Sequence, residues 1–327
     1  MNNARRIGHG RDPAPHDPAR AGSAAGRTEA RGQWWKSRTV RAGVLALVVF
    51  FGGVVMRLTS LAESLAFYFP LRGEVATPGD FEDVWITTPE GVKLHAWFMP
   101  ALATPGGADS DKPGDDVASP SRRPAILHCH GNAGNIEHHL EFSNFLRARG
   151  FHVLLFDYRG FGRSEPARLL NRHQLARDSL AAFDALASRA DVDAKRIGLY
   201  GVSLGGTMAL SVAVERPEAA AICTVSAFAS WRGIAGDHAG LLGRTLIPSG
   251  LDAEKLATRI GDRPMLVVHG MDDTIVPESH ATRIAEAARA AGIDARLALI
   301  EHAEHNDIAM FPAMQEAVGE FFVRALD

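Results

Sequence analysis

Cysteine is scarce in this sequence, with Cys129 and Cys223 as the only two among 327 residues. A scaffold held together by several disulfides is therefore excluded. Both cysteines lie in apolar segments typical of buried strands, PAILHCHG and AAICTVSAF. We therefore expect two free thiols in the core, without a chemical role. Aromatic residues are also few, at 7% of the chain, and we attach no chemistry to that composition.

The chain also lacks a positively charged body. Residues 1–41 carry nine Arg or Lys against three Asp or Glu, a net charge of about +6, while the whole chain is at −3. The remaining residues therefore carry about −9, which argues against a nucleic-acid-binding body. We predict a disordered basic tail over 1–41 and no nucleic-acid partner.

Long apolar runs are limited to one, residues 42–56, which lies between Arg41 and Arg57. It would span about 22 Å as a helix, short of a hydrocarbon core of about 30 Å. If Arg57 snorkels and the helix continues, the length is sufficient. We therefore predict a membrane anchor helix over 42–66, with the basic tail in the cytoplasm and the rest of the chain exported.

Three other interpretations of this run stay open. A cleaved signal peptide fits the apolar length, with Ser60-Leu61-Ala62 as a cleavage site, and the protein would then be secreted. The basic tail is long for such a signal. A buried helix of a soluble protein and a tail lengthened by a misassigned start codon are the remaining alternatives.

Residues 67–327 have the pattern of one α/β domain. The segments EDVWITT (82–88) and VKLHAWFM (92–99) flank Pro-Glu-Gly and predict a β-hairpin. From residue 124 onward, short apolar runs alternate with amphipathic stretches, which favours a mostly parallel central sheet with helices on both faces. The amphipathic stretches lie near 135–149, 171–190, 204–215, 278–292 and 308–325.

Two segments interrupt this alternation. Residues 103–123 are rich in Gly, Pro, Asp and Ser, and we predict a flexible surface loop there. Residues 227–262 are too long for a simple crossover between strands. We predict that they form a small cap over the site, with Phe228 and Trp231 among the residues that bind substrate.

One tight turn joins a predicted strand to a predicted helix through a serine. Gly201-Val202-Ser203-Leu204-Gly205 follows the strand RIGLY and opens the helix LGGTMALSVAV, which is the setting of a nucleophile elbow. The glycines permit close backbone approach around a strained serine. We therefore predict that Ser203 is a catalytic nucleophile; the alternative is a small residue at an ordinary tight turn.

A serine nucleophile needs a base and an orienting carboxylate. Two later strand ends offer candidates: VVHGMDDTIVP contains Asp272 and Asp273, and IEHAEHNDI contains His302 and His305. The order Ser, Asp, His is that of a triad on an open α/β sheet, whose ligands bind outside the carboxyl ends of the strands. These residues alone do not choose between the members of each pair.

The segment HCHGNAGN (128–135) suggests a metal site at first sight. In a strand, however, His128 and His130 point to one face and Cys129 to the other, so the three do not converge on one ion. We therefore predict no metal.

The same segment fits an oxyanion loop better. Gly131 and Gly134 let the chain turn so that backbone N–H groups face the reacting carbonyl oxygen. We predict that the N–H groups of Asn132 and Leu204 form the oxyanion hole.

Five segments together resemble the α/β-hydrolase superfamily, and within it the BEM46-like group of membrane-associated serine hydrolases, which includes the ABHD12, ABHD13 and ABHD17 types. The segments are HGNAGN (130–135), DYRGFGRS (157–164), GVSLGG (201–206), HGMDDTIVP (269–277) and HAEHND (302–307). The resemblance covers about residues 68–325. It implies an α/β-hydrolase fold with a small cap and an N-terminal hydrophobic helix.

The resemblance also implies the site. Its acid is the first residue of D-x-x-V-P, which is Asp273 here, and its histidine precedes Asn-Asp, which is His305. We expect Arg159 in DYRGFGRS to brace a turn. The loop 103–123 is longer than the family pattern implies, which concerns surface contacts more than chemistry.

We therefore expect a membrane-anchored serine hydrolase of carboxylic esters or thioesters, with acyl-chain or lipid-type substrates and no cofactor. A serine peptidase or amidase of the same fold is one alternative, since the same triad serves both leaving groups. A catalytically silent, membrane-tethered binding protein is the other. The sequence predicts no oligomeric state.

Overall fold

The computed structural model describes residues 38–102 and 122–327. The basic tail up to residue 37 and nearly all of the predicted loop 103–123 lie outside the described residues. The chain divides into two compact units, Met1–Arg57 and Leu58–Asp327.

The first helix, α1, runs from Arg38 to Phe67 and so contains the predicted anchor. Within it, Leu45–Phe67 has a mean hydropathy of 2.0 over 23 residues and is long and apolar enough to cross a membrane. The apolar side chains from Leu45 to Leu58 are exposed. By length and composition this helix is a candidate membrane span, and a signal sequence near an N-terminus passes the same test.

The second unit, Leu58–Asp327, is built on an eight-stranded sheet. Its strands are β1 Glu82–Thr87, β2 Lys93–Met99, β3 Arg123–Cys129, β4 His152–Phe156, β5 Val192–Val202, β6 Ala221–Val225, β7 Met265–Gly270 and β8 Ala295–Ile300. Among the described residues they lie in the order β8-β7-β6-β5-β3-β4-β2-β1. Strands β3 to β8 are parallel, and β1 and β2 form the predicted antiparallel hairpin at one edge.

Helices cover both faces of this sheet. They are α2 Arg172–Ala187, α3 Leu204–Glu215, α4 Trp231–Leu246, α5 Ala253–Ala257, α6 Ser279–Ala290 and α7 Pro312–Leu326. Alternate strand residues enter opposite layers of the core: Leu127 and Leu199 pack in one hydrophobic cluster, and Ile126 and Tyr200 in the other. This is the doubly covered, mostly parallel sheet predicted from the continuous apolar runs.

The stretch 135–149 differs from the amphipathic helix predicted there. It forms two 3₁₀ helices, Ile136–Phe142 and Asn144–Arg149, which meet at Ser143. The buried Ser143 hydroxyl lies 2.8 Å from Nδ1 of His128, and its backbone N–H donates to the carbonyl of Leu140. Because these bonds hold Ser143 against the sheet, the backbone leaves the helix at this residue.

Segment 227–262 consists mainly of α4 and α5. Helix α4 breaks at Ala239 and Gly240, where Gly240 has a φ of 57°. Leu241 and Leu242, after the break, are 78% and 65% exposed, whereas the helix start is buried. In the segment predicted to form a cap, the start of α4 and helix α5 therefore pack in the core, whereas Leu241 and Leu242 are exposed.

Both cysteines are free and fully buried. Burial raises the pKa of Cys129 to about 12 and that of Cys223 well above its usual value. Cys129 lies on β3 and Cys223 on β6, with β5 between these strands. They are the inert core thiols that the sequence predicts.

Candidate active site

Ser203 occupies the corner between β5 and α3. Its φ of 54° and ψ of −119° lie outside the regions that non-glycine residues ordinarily adopt. Such strain persists only where the surroundings impose it, and it marks functional positions.

The flanking glycines impose this corner by close packing. A Cβ on Gly201 would lie 2.3 Å from the carbonyl oxygen of Gly205, and one on Gly205 would lie 1.9 Å from that of Cys129. Any larger residue at Gly205 therefore forces the backbones of α3 and β3 apart.

His305 lies beyond the end of β8 and faces this serine. Its Nε2 is 3.1 Å from Oγ of Ser203, and its Nδ1 is 2.8 Å from Oδ2 of Asp273. A carboxylate only accepts hydrogen bonds, so Nδ1 carries the proton and Nε2 presents its lone pair to the serine hydroxyl. The three side chains therefore have the hydrogen-bonding order of a charge-stabilised general base.

Asp273 is held as a carboxylate by its surroundings. Burial by itself raises its pKa, but hydrogen bonds with His269, His305 and the Val276 backbone N–H outweigh burial and lower the pKa. Oδ1 accepts from the N–H groups of Ile275 and Val276 at 3.0 and 2.8 Å. Asp273 is therefore ionised and fixed in orientation.

The neighbouring candidates lie outside this arrangement. The side chains of Asp272 and His302 are 58% and 87% exposed, and they face each other at 3.7 Å. The geometry thus brings together Ser203, Asp273 and His305, the residues selected by family resemblance.

The loop predicted to form the oxyanion hole begins where β3 ends. The backbone of Gly131 passes so close to the serine that a Cβ there would be 3.8 Å from Cβ of Ser203. Asn132 and Leu204 both line the cavity above Ser203. Since Leu204 is the first residue of α3, its N–H has no acceptor within the helix and is available to an oxyanion.

Three contacts hold this loop in place. Residues Ala133–Gly134 pair with Phe69–Pro70, and the Phe69 N–H donates to the carbonyl of Asn132 at 2.8 Å. Nε2 of His139 donates to the carbonyl of Ala133 at 2.9 Å. Burial lowers the pKa of His139 to about 4, so its ring is neutral at pH 7.

A cavity of about 590 Å³ opens over Ser203. Of the described residues that line it, none is Asp, Glu, Lys or Arg. Its apolar lining includes Phe67, Phe228 and Ile234, while Asn132, His138, His139, His238 and His305 supply polar groups.

The two predicted substrate-binding residues differ in position. Phe228 lines the cavity, but Trp231 is absent from the described lining. Trp231 is fully buried: its indole N–H donates to the carbonyl of Leu251, and the guanidinium of Arg172 lies 4.0 Å from its ring centre. It supports the cavity wall from behind, because its ring packs 4.9 Å from that of Phe228.

Sequence reasoning missed His269, His139 and Phe67. His269 is the penultimate residue of β7, and its Nε2 is 3.2 Å from Oδ2 of Asp273 and 2.8 Å from the carbonyl oxygen of Val276. The sequence could have indicated His269, because it lies at the end of a predicted strand, four residues before the predicted catalytic acid Asp273. Phe67 was missed because it directly follows the predicted anchor 42–66, and no pattern in the sequence marks it as a residue of the site.

Arg159 braces the turn after β4, as expected. Its guanidinium contacts the carboxylates of Asp178 and Glu90 at 2.6 and 3.0 Å.

The histidines of the segment HCHGNAGN have partners within the protein. His130 donates from Nδ1 to the carbonyl of Gly131 at 2.8 Å, and Nδ1 of His128 lies 2.8 Å from the hydroxyl of Ser143. Within residues 38–102 and 122–327, no group of three or more His, Cys, Asp or Glu is arranged to hold an ion.

The strand order and the serine corner after β5 together define an α/β hydrolase. The model of the prolyl oligopeptidase family matches residues 140–327, more than half of the chain. The chain therefore belongs to this family, and its relatives show it to be a serine hydrolase of the ABHD-like group.

Three similar proteins illustrate the relationship. Rv2307c of Mycobacterium tuberculosis is 34% identical over 270 residues, which is 81% of this chain and 86% of that protein. The lysophosphatidylserine lipase ABHD12 of Danio rerio is 25% identical over 297 residues, covering 81% and 76%. The esterase Pf2001 of Pyrococcus furiosus superposes with a TM-score of 0.63 at 21% identity, covering 80% and 98%, and shares the fold.

Proposed function

We propose that this protein is a membrane-anchored serine hydrolase that cleaves carboxylic esters or thioesters bearing an acyl chain. The observation that carries the proposal is the continuous hydrogen-bonded line from Asp273 through His305 to Ser203, at 2.8 and 3.1 Å. It ends in a cavity without acidic residues, Lys or Arg among its described lining.

The reaction begins with acylation of the serine. Oγ of Ser203 attacks the carbonyl carbon while Nε2 of His305 takes the hydroxyl proton. Asp273 stabilises the resulting imidazolium. The N–H groups of Asn132 and Leu204 stabilise the oxyanion of the tetrahedral intermediate.

Collapse of this intermediate breaks the bond to the leaving group. His305 returns its proton to the departing alkoxide or thiolate, which leaves as the alcohol or thiol, and the acyl group remains on Ser203. Water then attacks the acyl-enzyme with His305 as base. When the second tetrahedral intermediate collapses, His305 returns this proton to Oγ of Ser203 and the carboxylic acid is released.

The cavity supports an uncharged, apolar acyl group in preference to a charged peptide. The charged end of a peptide would lose water of hydration in this cavity. Among the described lining residues it would find no Asp, Glu, Lys or Arg with which to form an ion pair, and only histidine side chains could carry a charge. Phe67, Phe228 and Ile234 offer apolar surface to an acyl chain instead. The relatives named as a lipase and an esterase agree with this preference.

Two alternatives remain as outcomes of the test. The match to the prolyl oligopeptidase family favours a peptidase or amidase as the second candidate. A silent binding protein is less favoured, because the serine, histidine and carboxylate stand within hydrogen-bonding distance of one another.

We further propose that α1 anchors the protein, with the basic tail cytoplasmic and the hydrolase unit exported. Glu63 is buried in the hydrolase unit, which leaves residues 45–62, about 27 Å of helix, for the bilayer. Carbonate extraction of cell membranes tests the anchor, and mass spectrometry of the mature N-terminus tests signal cleavage. Recovery of a soluble, shortened chain would contradict the anchor.

The central test is labelling with a fluorophosphonate, which reacts with activated serines. Wild type should be labelled and Ser203→Ala should not. Hydrolysis of matched ester, thioester and anilide substrates then identifies the bond cleaved. Absence of labelling in wild type favours the binding protein, and faster anilide than ester turnover favours the amidase.

A further inference from the structure

The last turns of α1 are built into the hydrolase unit by a buried ion pair. Glu63 and Arg172 are 4% and 1% exposed, and their side chains meet at 3.1 Å. The Arg172 backbone N–H also donates to Glu63 at 2.8 Å, as does the hydroxyl of Tyr68 at 2.9 Å. Breaking a buried pair of this kind is costly, so the position of the helix end is firmly set.

This anchorage places Ala66 and Phe67 in the lining of the cavity over Ser203. The ring of Phe67 packs 5.0 Å from that of Trp231 and 6.3 Å from that of Phe228. Phe67 is only 8% exposed, so it presents a fixed apolar edge to the cavity. The helix end therefore forms a rigid wall, backed by two aromatic rings.

The direction of the reaction indicates which part of the substrate meets this wall. His305 delivers a proton to the leaving group, so the leaving group lies toward β7 and β8. The chain that follows Phe67 lies on the opposite side, where Phe69 donates to the carbonyl of Asn132 in the oxyanion loop. The apolar part of the cavity, formed by Phe67, Phe228 and Ile234, is left for the acyl part, which therefore lies along the end of α1.

We propose that the last turn of α1, residues Ala66 and Phe67, is the acyl-binding wall of this site and sets the length of acyl chain that it accepts. The inference rests on the proposed serine hydrolase function. Helix α1 would then have two functions: its apolar part anchors the protein in the membrane, and its last turn selects the acyl chain of the substrate.

Ala66 offers a direct test because it is exposed, lines the cavity and carries only a methyl group. Ala66→Trp adds bulk to the wall without replacing a core residue. Leu65→Trp is the matched control, since Leu65 is the preceding residue, is 68% exposed and is not among the described lining.

The measurement uses the full-length protein in detergent and two phosphonofluoridates, one with a methyl and one with a dodecyl group on phosphorus. The ratio of the dodecyl to the methyl labelling rate should fall about tenfold to a hundredfold in Ala66→Trp, the effect of displacing two or three methylene groups. Ala66→Leu should give a smaller fall, and Leu65→Trp should keep the wild-type ratio.

The outcomes separate this inference from the function on which it rests. An unchanged ratio in Ala66→Trp, or an equal fall in Leu65→Trp, would overturn the acyl wall while labelling itself still supports the serine hydrolase. Failure of both probes to label wild type would overturn the proposed function and the wall with it. Thermal melting of each variant verifies that the ratio is measured on folded protein.

Discussion

Replacing Asp273 with asparagine changes one oxygen of the site into an amide nitrogen. Oδ1 can still accept from the N–H groups of Ile275 and Val276, so the side chain should keep its orientation. The new Nδ2 then takes the place of Oδ2, 2.8 Å from Nδ1 of His305. Because an amide nitrogen donates, Nδ1 must become an acceptor and the ring proton moves to Nε2. The base can then no longer accept the proton of Ser203.

The size of the effect follows from the lost charge pair. At an effective dielectric of about 20, an imidazolium and a carboxylate 2.8 Å apart attract by about 6 kcal/mol. At 1.36 kcal/mol per tenfold, this corresponds to a loss of about 10⁴-fold in kcat. The same exchange in a serine protease triad lowers kcat by about 10⁴.

The assay is hydrolysis of a p-nitrophenyl ester by wild type, Asp273→Asn and Asp272→Asn. The exposed Asp272 is a matched control, because the same chemical change one residue away touches no group of the site. The kcat of Asp272→Asn should stay within about twofold of the wild-type value. Retention of more than a tenth of kcat in folded Asp273→Asn, or a large loss in Asp272→Asn, would refute the assigned acid.

Three further predictions concern the frame of the site. Gly205→Ala should lower the free energy of unfolding by about 3 kcal/mol or more, because its Cβ would lie 1.9 Å from the Cys129 carbonyl oxygen. Thermal melting checks this against the control Gly79→Ala, whose Cβ would meet open space. Equal melting temperatures of the two variants would contradict the prediction. Cys129 and Cys223 should not react with a thiol reagent in the native protein, because both are buried and burial raises their pKa values. Both should react in denaturant. Reaction in the native protein would show that the core opens. Because burial lowers the pKa of His139 to about 4, the unfolded chain binds one more proton than the folded chain between pH 6.5 and 4. The free energy of unfolding should therefore fall as the pH falls through this range, by up to about 1.4 kcal/mol per pH unit from this group. Denaturant unfolding across this range should show a shallower dependence in His139→Gln, and identical slopes would contradict the burial.

The residues alone predicted the parts of the fold that depend on local patterns. The hairpin β1–β2, the alternation of apolar strands with helices and the serine turn between β5 and α3 all follow from periodicity and glycine placement within about ten residues. The stretch 135–149 was mistaken for one helix, because the bond of Ser143 to His128 on β3 breaks it, and no local pattern records that partner.

The site divides in the same way. Candidate residues were found because each follows a predicted strand, and parallel strands end at one edge of a sheet. The choice between Asp272 and Asp273 needed family resemblance, since both follow β7. Only the tertiary structure brings His305 to Ser203, which is 102 residues away in the chain.

The sequence by itself therefore determined the class of fold, the order of the catalytic candidates and the presence of an apolar N-terminal helix. Only the tertiary structure decided that Phe67 of this helix lines the cavity and that Trp231 supports it from behind. The physical reason is that hydrophobicity predicts burial but not the partner against which a residue is buried. That partner is set by the crossing of distant strands and by buried pairs such as Glu63 with Arg172.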